Sequence, residues 1–328
     1  MLLTILIPTY NRAKDVDYNL SLLEKYITSN ALCDDVKVLI SSNHSTDNTA
    51  SVVNDYISKN TFQIDFFEQA SNIGLEKNAL FVLGKADTDY VMFLGDDDYI
   101  QEGYLLRVVS ELKNNPSIGC ILPSNKAIRP DKTEIPNSGR DLNVPTTYYK
   151  AGFDACLANA WRGHSISGMV ILKSNVYETY VKKGVHNLYP FIFFVSYSAL
   201  LYDVLLITEY PVFVTSVPQT AKDWNYGSNG LLIDMFNNFR YLDISSKQRG
   251  LLERSLIIRN EWRYLNYANQ RLIDKAIETV VFSKNTSWNG KIYITEHTIS
   301  NNQYKGRKLK LLINTLYFLL NIKHHLKS

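Results

Sequence analysis

Short apolar runs alternate with amphipathic stretches through the first 125 residues, and few architectures accept that alternation. Leu2 to Ile7, Val36 to Ile40, Phe62 to Phe67, Tyr90 to Leu94 and Ile118 to Pro123 read as strands. Between them, Val16, Leu20, Leu23 and Ile27 recur at helical spacing, and Thr49 to Lys59, Leu75 to Gly84 and Glu102 to Asn114 read as further helices. Strands apolar on both faces, each followed by an amphipathic helix, predict an α/β, Rossmann-like fold: a mostly parallel sheet with helices on both faces. In such folds ligands sit beyond the carboxyl ends of the strands. Chemistry is therefore expected in the loops that follow the strands.

Further along, Ala127 to Pro145 is poor in apolar residues and broken by Pro and Gly, which predicts an irregular excursion. Gly168 to Leu172, Val204 to Thr208 and Val212 to Ser216 read as strands, and Ser174 to Lys182 as a helix. From Ser228 onward the strand signal fades, while Leu251, Leu252, Ser255, Ile258, Trp262, Leu265, Leu272 and Ile273 recur at helical spacing. The organisation expected is one α/β domain over residues 1–225, divided near residue 125, and a helical C-terminal region over 226–328.

A net charge of +3 argues against a generally basic nucleic-acid binder. Six Lys and Arg and no acid lie between His297 and Ser328, so the preceding 296 residues carry 29 basic against 32 acidic side chains. Cys33, Cys120 and Cys156 follow neither a disulfide nor a zinc pattern, which fits a reducing, cytoplasmic compartment. The opening MLLTILIPTYNR lacks a secretory leader's charge and apolar run. Leu309 to Ile322 is 14 residues long and interrupted by Lys310, Asn314 and Thr315. A membrane span needs roughly 20, so none is expected.

The strongest chemical feature is Phe93-Leu94-Gly95-Asp96-Asp97-Asp98-Tyr99, directly after a strand. Adjacent carboxylates repel unless a cation or donors offset the cost. Hard oxygens at a strand end suit Mg²⁺ or Mn²⁺ held jointly with phosphates; a solvated acidic turn capping the next helix is the other reading. The preceding strands lead into equally polar loops. Pro8-Thr9-Tyr10-Asn11-Arg12 follows the first, Ser41-Ser42-Asn43-His44-Ser45-Thr46-Asp47 the second, and Asn72-Ile73-Gly74-Leu75-Glu76-Lys77-Asn78 the third. Each also reads as turn and helix-cap chemistry.

Taken in order, Pro8 to Asn11, Ser45-Thr46-Asp47, Asn72 to Gly74 and Asp96 to Asp98 resemble the inverting glycosyltransferases of family 2, which have the GT-A fold. The likeness is close over the first 125 residues and looser to about residue 225. It implies that 1–125 is a nucleotide-sugar-binding half and 126–225 an acceptor half. It also implies donor contacts from Pro8, Thr9, Tyr10, Asn11, Asn43, Asn72, Gly74, Lys77, Asp96 and Asp97, with Mn²⁺ or Mg²⁺ held by Asp98 and Asp96. A leaving nucleoside diphosphate develops charge that such an ion stabilises.

The chain departs from its relatives in two places. Ser42 and Asn43 stand where many have base-contacting Asp residues, so a contact there would be neutral. No carboxylate occupies the segment Gly184 to Phe191, where relatives often carry the base that takes the acceptor's proton. Asp223 and His186 are the candidates, against readings as a helix cap and a surface histidine. Trp161 and His164 are acceptor-side candidates, with a structural Trp beside a glycine turn as the alternative. Residues 304–328 form a basic amphipathic tail suited either to an anionic membrane surface or to docking on the protein body or a second subunit. The resulting expectation is sugar transfer to a saccharide acceptor, a lipid-linked intermediate of cell-surface polysaccharide, at the inner face of the membrane. The competing expectation is a non-catalytic saccharide-binding or scaffold protein. Nicotinamide enzymes are disfavoured because no G-x-G-x-x-G follows an early strand.

Overall fold

The computed structural model describes residues 1–216, 235–267, 269–312 and 314–315. They fall into two compact units, one built from residues 1–186 with the segment from Phe193 through the last sheet strand, the other from Asn187–Ile192 with the C-terminal helices.

The first unit opens with β1 (Leu3–Thr9), α1 (Ala13–Ser29), β2 (Val36–Ser42), α2 (Thr49–Lys59), β3 (Ile64–Glu68), α3 (Leu75–Lys85), β4 (Tyr90–Phe93) and α4 (Glu102–Asn114). Every residue of β1, β2 and β4 is buried, as strands covered on both faces require. On α1, Val16, Leu20, Leu23 and Ile27 are fully buried; each such side chain contributes about 1.5–3 kcal/mol relative to exposure. β5 (Ile118–Ile128), β6 (Glu134–Arg140), β7 (Thr147–Tyr149), α5 (Phe153–Asn159), β8 (Val170–Leu172), α6 (Val176–Lys182), α7 (Pro190–Leu201) and β9 (Asp203–Thr215) follow.

The strand order is β3-β2-β1-β4-β8-β5-β9-β7, with β6 beside β5. Pairing is parallel from β3 through β4 and again between β5 and β9, while β8, β6 and β7 run antiparallel to their neighbours. Chain order reverses direction at β1, whose neighbours are β2 and β4. In doubly wound sheets a reversal of this kind marks where ligands bind, here beyond the carboxyl ends of β1 and β4.

Two expectations need correction. Ala127 to Pro145 is irregular only in part: β5 runs on to Ile128 and returns as β6 through a turn in which Lys132 has φ of +71°. β6 pairs with β5 alone, so it needs no second apolar face and tolerates Pro136. Val204 to Thr208 and Val212 to Ser216 are one strand, β9, whose register against β5 slips between Pro123 and Asn125. The extra residues are taken up as a bulge, which breaks the apolar pattern without ending the strand.

The second unit contains helices Ser246–Arg259, Trp262–Leu265, Gln270–Phe282 and Trp288–Ser300. Glu253 is fully buried on the first of these and grips the start of the last: Ser287 donates its backbone N–H to Glu253 Oε1 (3.0 Å) and its hydroxyl to Oε2 (2.6 Å). The described start of the basic tail docks on the unit's own helix Gln270–Phe282. Tyr304 and Leu309 are buried, and the Tyr304 hydroxyl donates to Glu278 (2.7 Å). Residues 316–328 lie outside the described residues. Among the described residues no helix is long and apolar enough to cross a membrane.

Candidate active site

The acidic turn lies directly beyond the carboxyl end of β4, beside that of β1. Thr9, the last residue of β1, donates its hydroxyl to Asp96 Oδ2 (2.8 Å), joining the two strand ends. Asp98 is buried and held from two directions: Ser167 donates its hydroxyl to Oδ2 (2.5 Å), and the Thr215 backbone N–H donates to Oδ1 (2.8 Å). Asp97 accepts from Arg12 (3.0 Å), whose guanidinium also lies 3.6 Å from Asp15. Lys132, at the hairpin tip, completes the chain of charges by pairing with Asp15 (2.6 Å).

Burial, followed by repulsion from Asp97, pushes the Asp96 carboxyl up to about 6 and that of Asp98 up to about 7. Among the described residues no three His, Cys, Asp or Glu side chains are grouped to hold a metal ion. A magnesium-type ion needs only one or two protein carboxylates when phosphates and waters supply the rest. Each Asp98 oxygen retains a lone pair beyond its hydrogen bond, and those bonds fix its orientation. Asp98 and Asp96 therefore suit such an ion.

The backbone of the turn has its own anchor. Asn19 occupies the buried stripe of α1, and its side-chain amide donates to the carbonyl of Asp96 (2.9 Å), to that of Asp98 (3.0 Å) and, at 3.4 Å, to that of Gly95. Sequence reasoning missed it, although an Asn between Val16 and Leu20 on an apolar face is a legible signal. Asn19→Ala is expected to cost about 1–3 kcal/mol by orphaning these carbonyls, and urea unfolding checks the loss. Arg12, Ser167 and Thr215 also escaped the sequence reading; the last two lie far along the chain from the turn they hold.

The other residues expected on the donor side lie in or near the loops after β1, β2 and β3. Pro8 is buried within β1 and Tyr10 is exposed. Asn11, at φ of +53°, accepts the Thr46 N–H (2.7 Å) and ties the first loop to the second. Asn43 is buried and donates to Asn72 (2.9 Å). Gly74 has φ of +85° at the cap of α3, a conformation that side chains disfavour. Lys77 is exposed on the first turn of α3.

The other candidates separate. His186 is largely exposed, with Nδ1 3.7 Å from Glu76 Oε1. Asp223 lies outside the described residues. Trp161 is buried, donates its indole N–H to Ala158 O (2.9 Å), and lies against the guanidiniums of Arg140 and Arg162. His164 packs beside it and bonds the Trp161 carbonyl (2.8 Å). Trp161 thus has the structural surroundings of its alternative reading.

Residues 4–164 match the family model described as Glycosyl transferase family 2. Abequosyltransferase RfbV of Salmonella typhimurium is 29% identical over 140 residues, which span 43% of this chain and 40% of that relative. The structure of S. aureus TarS 1-349 in complex with UDP-GlcNAc superposes with a TM-score of 0.61 at 13% identity, covering 93% of each chain. GalNAc-T7, solved with UDP, GalNAc and Mn2+, gives 0.53 at 13% identity over 92% of this chain and 57% of its own. These structural likenesses establish the GT-A fold.

Proposed function

From a chain that carries a glycosyl transferase family 2 domain over residues 4–164, we propose inverting, metal-dependent transfer of a sugar from a nucleotide-sugar donor to a saccharide acceptor. The observation that carries the reading is the acidic turn at the carboxyl ends of β1 and β4, its carboxylates oriented by Thr9, Ser167 and Thr215. A bound divalent ion, held by Asp98 and Asp96, would neutralise charge on the departing diphosphate. The loops after β1, β2 and β3 bind the nucleoside, with Tyr10 exposed for contact and Asn43 and Asn72 further along the sheet edge.

The acceptor hydroxyl must lose a proton on the face opposite the leaving group. Asp223 and His186 are the proposed bases. The exposed His186 imidazole, with Nδ1 3.7 Å from Glu76 Oε1, is free to reach a bound acceptor. The basic composition of residues 304–328 supports a lipid-linked acceptor in polysaccharide synthesis, reached at a membrane surface.

With Mn²⁺ and a panel of nucleotide sugars, slow release of nucleoside diphosphate is expected for one donor, faster with the right saccharide. Donor binding without turnover across acceptors would instead assign a saccharide-binding role.

A further inference from the structure

Four carboxylates and two basic side chains gather where β1 and β4 end. Asp96, Asp97 and Asp98 come from the acidic turn and Asp15 from the first turn of α1, while Arg12 and Lys132 supply the positive charge. Their pairing is uneven. Asp15 Oδ1 takes both Lys132 Nζ (2.6 Å) and the Tyr99 hydroxyl (2.9 Å), which leaves Oδ2 to face Arg12 Nη1 at 3.6 Å. The same nitrogen donates to Asp97 Oδ2 (3.0 Å), and Asp96 adds its attraction. Arg12 thus stands between a tethered carboxylate on α1 and the turn expected to hold a divalent ion.

Two features set this arginine apart from a purely structural ion pair. Its side chain is 45% exposed, whereas Asp98 in the same turn is buried. Among the described residues Nη1 alone has a hydrogen-bond acceptor, so Nε and Nη2 are uncommitted. Those two nitrogens form the edge that grips oxygens in pairs, as Arg162 shows by laying its own Nε and Nη2 on Asp141 (2.8 and 2.9 Å). Phosphate oxygens suit that edge equally well.

A cation held against Asp97 also repels any second cation that approaches the turn. We propose that Arg12 couples metal binding to donor binding. Paired with Asp97, it lowers the affinity of the turn for a divalent ion. A diphosphate on its Nε and Nη2 edge offsets the guanidinium's charge and removes that opposition, so ion and donor are taken up together. Asp15, fixed by Lys132 and Tyr99, keeps the guanidinium at the turn throughout. The inference rests on the sugar-transfer reading above.

Two titrations of the full chain test it: Mn²⁺ alone, followed by the electron paramagnetic resonance of the free ion, and CDP, UDP, GDP and ADP at saturating Mn²⁺, followed by calorimetry. Arg12→Ala is expected to bind Mn²⁺ alone at least about fivefold more tightly, the scale of one nearby unit charge even when well screened by solvent. It should bind the preferred nucleoside diphosphate about tenfold more weakly, for want of a charge-assisted contact. Loss of a merely structural residue would weaken both. Arg12→Lys keeps the charge without the fork, so it should return Mn²⁺ affinity to its original level and recover nucleotide affinity only in part. Arg12→Gln, which keeps an amide donor for Asp97, replaces the Ala variant if that one does not fold. Mn²⁺ affinity that is unchanged or lower in the folded neutral variant, or nucleotide affinity that is unchanged, would overturn the coupling and leave sugar transfer standing. Binding of no nucleoside diphosphate by the unaltered chain would overturn both readings.

Discussion

Asp98→Ala is expected to lower donor turnover by roughly 10²- to 10³-fold, the effect of removing one preorganised group that stabilises developing charge. The size follows from placement: Asp98 is buried and both oxygens are oriented by hydrogen bonds. Asp98→Asn separates chemistry from folding. It keeps an oxygen for the Thr215 N–H and an amide facing the Ser167 hydroxyl, so the turn should persist while the charge is lost. A pH series adds a second readout. The Asp98 carboxyl is raised to about 7 by burial and by Asp97, so its favourable contribution to the metal-free fold is present below its unfolded value. That contribution disappears as pH rises through about 7. Thermal midpoints measured with chelator should fall across that window, and Asp98→Asn should flatten the fall. Full turnover in Asp98→Ala would show that the acidic turn is not the reacting centre.

Glu253→Ala should destabilise the C-terminal helical unit by about 3–5 kcal/mol, the range for breaking a buried ionic cluster from one side. Arg249 donates to Glu253 Oε1 at 2.9 Å, and Ser287 commits both its N–H and its hydroxyl to the same carboxylate. Removing the acid orphans all of these donors within the unit. Burial pushes the carboxyl upward, opposed by Ser287 and Arg249, so the bonds are what retain it there. Packing leaves no substitute: a methyl group at Gly290 would lie 1.8 Å from Glu253 Oε2. Glu253→Gln keeps one acceptor oxygen and should lose less. Urea unfolding followed by helix content would show the order, and equal stability of the Ala variant and the unaltered chain would refute the assignment.

The α/β half of the molecule was legible because its signal is periodic. α2 and α4 begin and end at the residues read from the sequence, since apolar spacing and flanking turns agree there. α7 gave no such handle: PFIFFVSYSALL is apolar on every side, and a helix without a polar face has no period to detect. β6 failed for the opposite reason, being an edge strand with too few apolar residues to alternate. At the site, the acidic turn and the strand-end loops announced themselves by composition. The partners that orient them did not. Ser167 and Thr215 are ordinary hydroxyl residues 69 and 117 positions from Asp98, and only the tertiary fold makes them neighbours. Trp161 carried an attractive sugar-stacking reading, but two arginines folded against its ring.

The clasp on Asp98 bears on modularity. The stretch matched by the family ends at residue 164, yet the carboxylate within it is oriented by Ser167 and by the final residue of β9. Cutting the chain where the family likeness stops would preserve every signature residue and still leave the acidic turn slack. During synthesis the same holds in time: the loops after the first strands emerge first, but the clasp on Asp98 cannot close until the last strand of the sheet has been laid against β5. A recognisable motif and the contacts that orient it are therefore separated in this chain by some 50 residues of ordinary sequence.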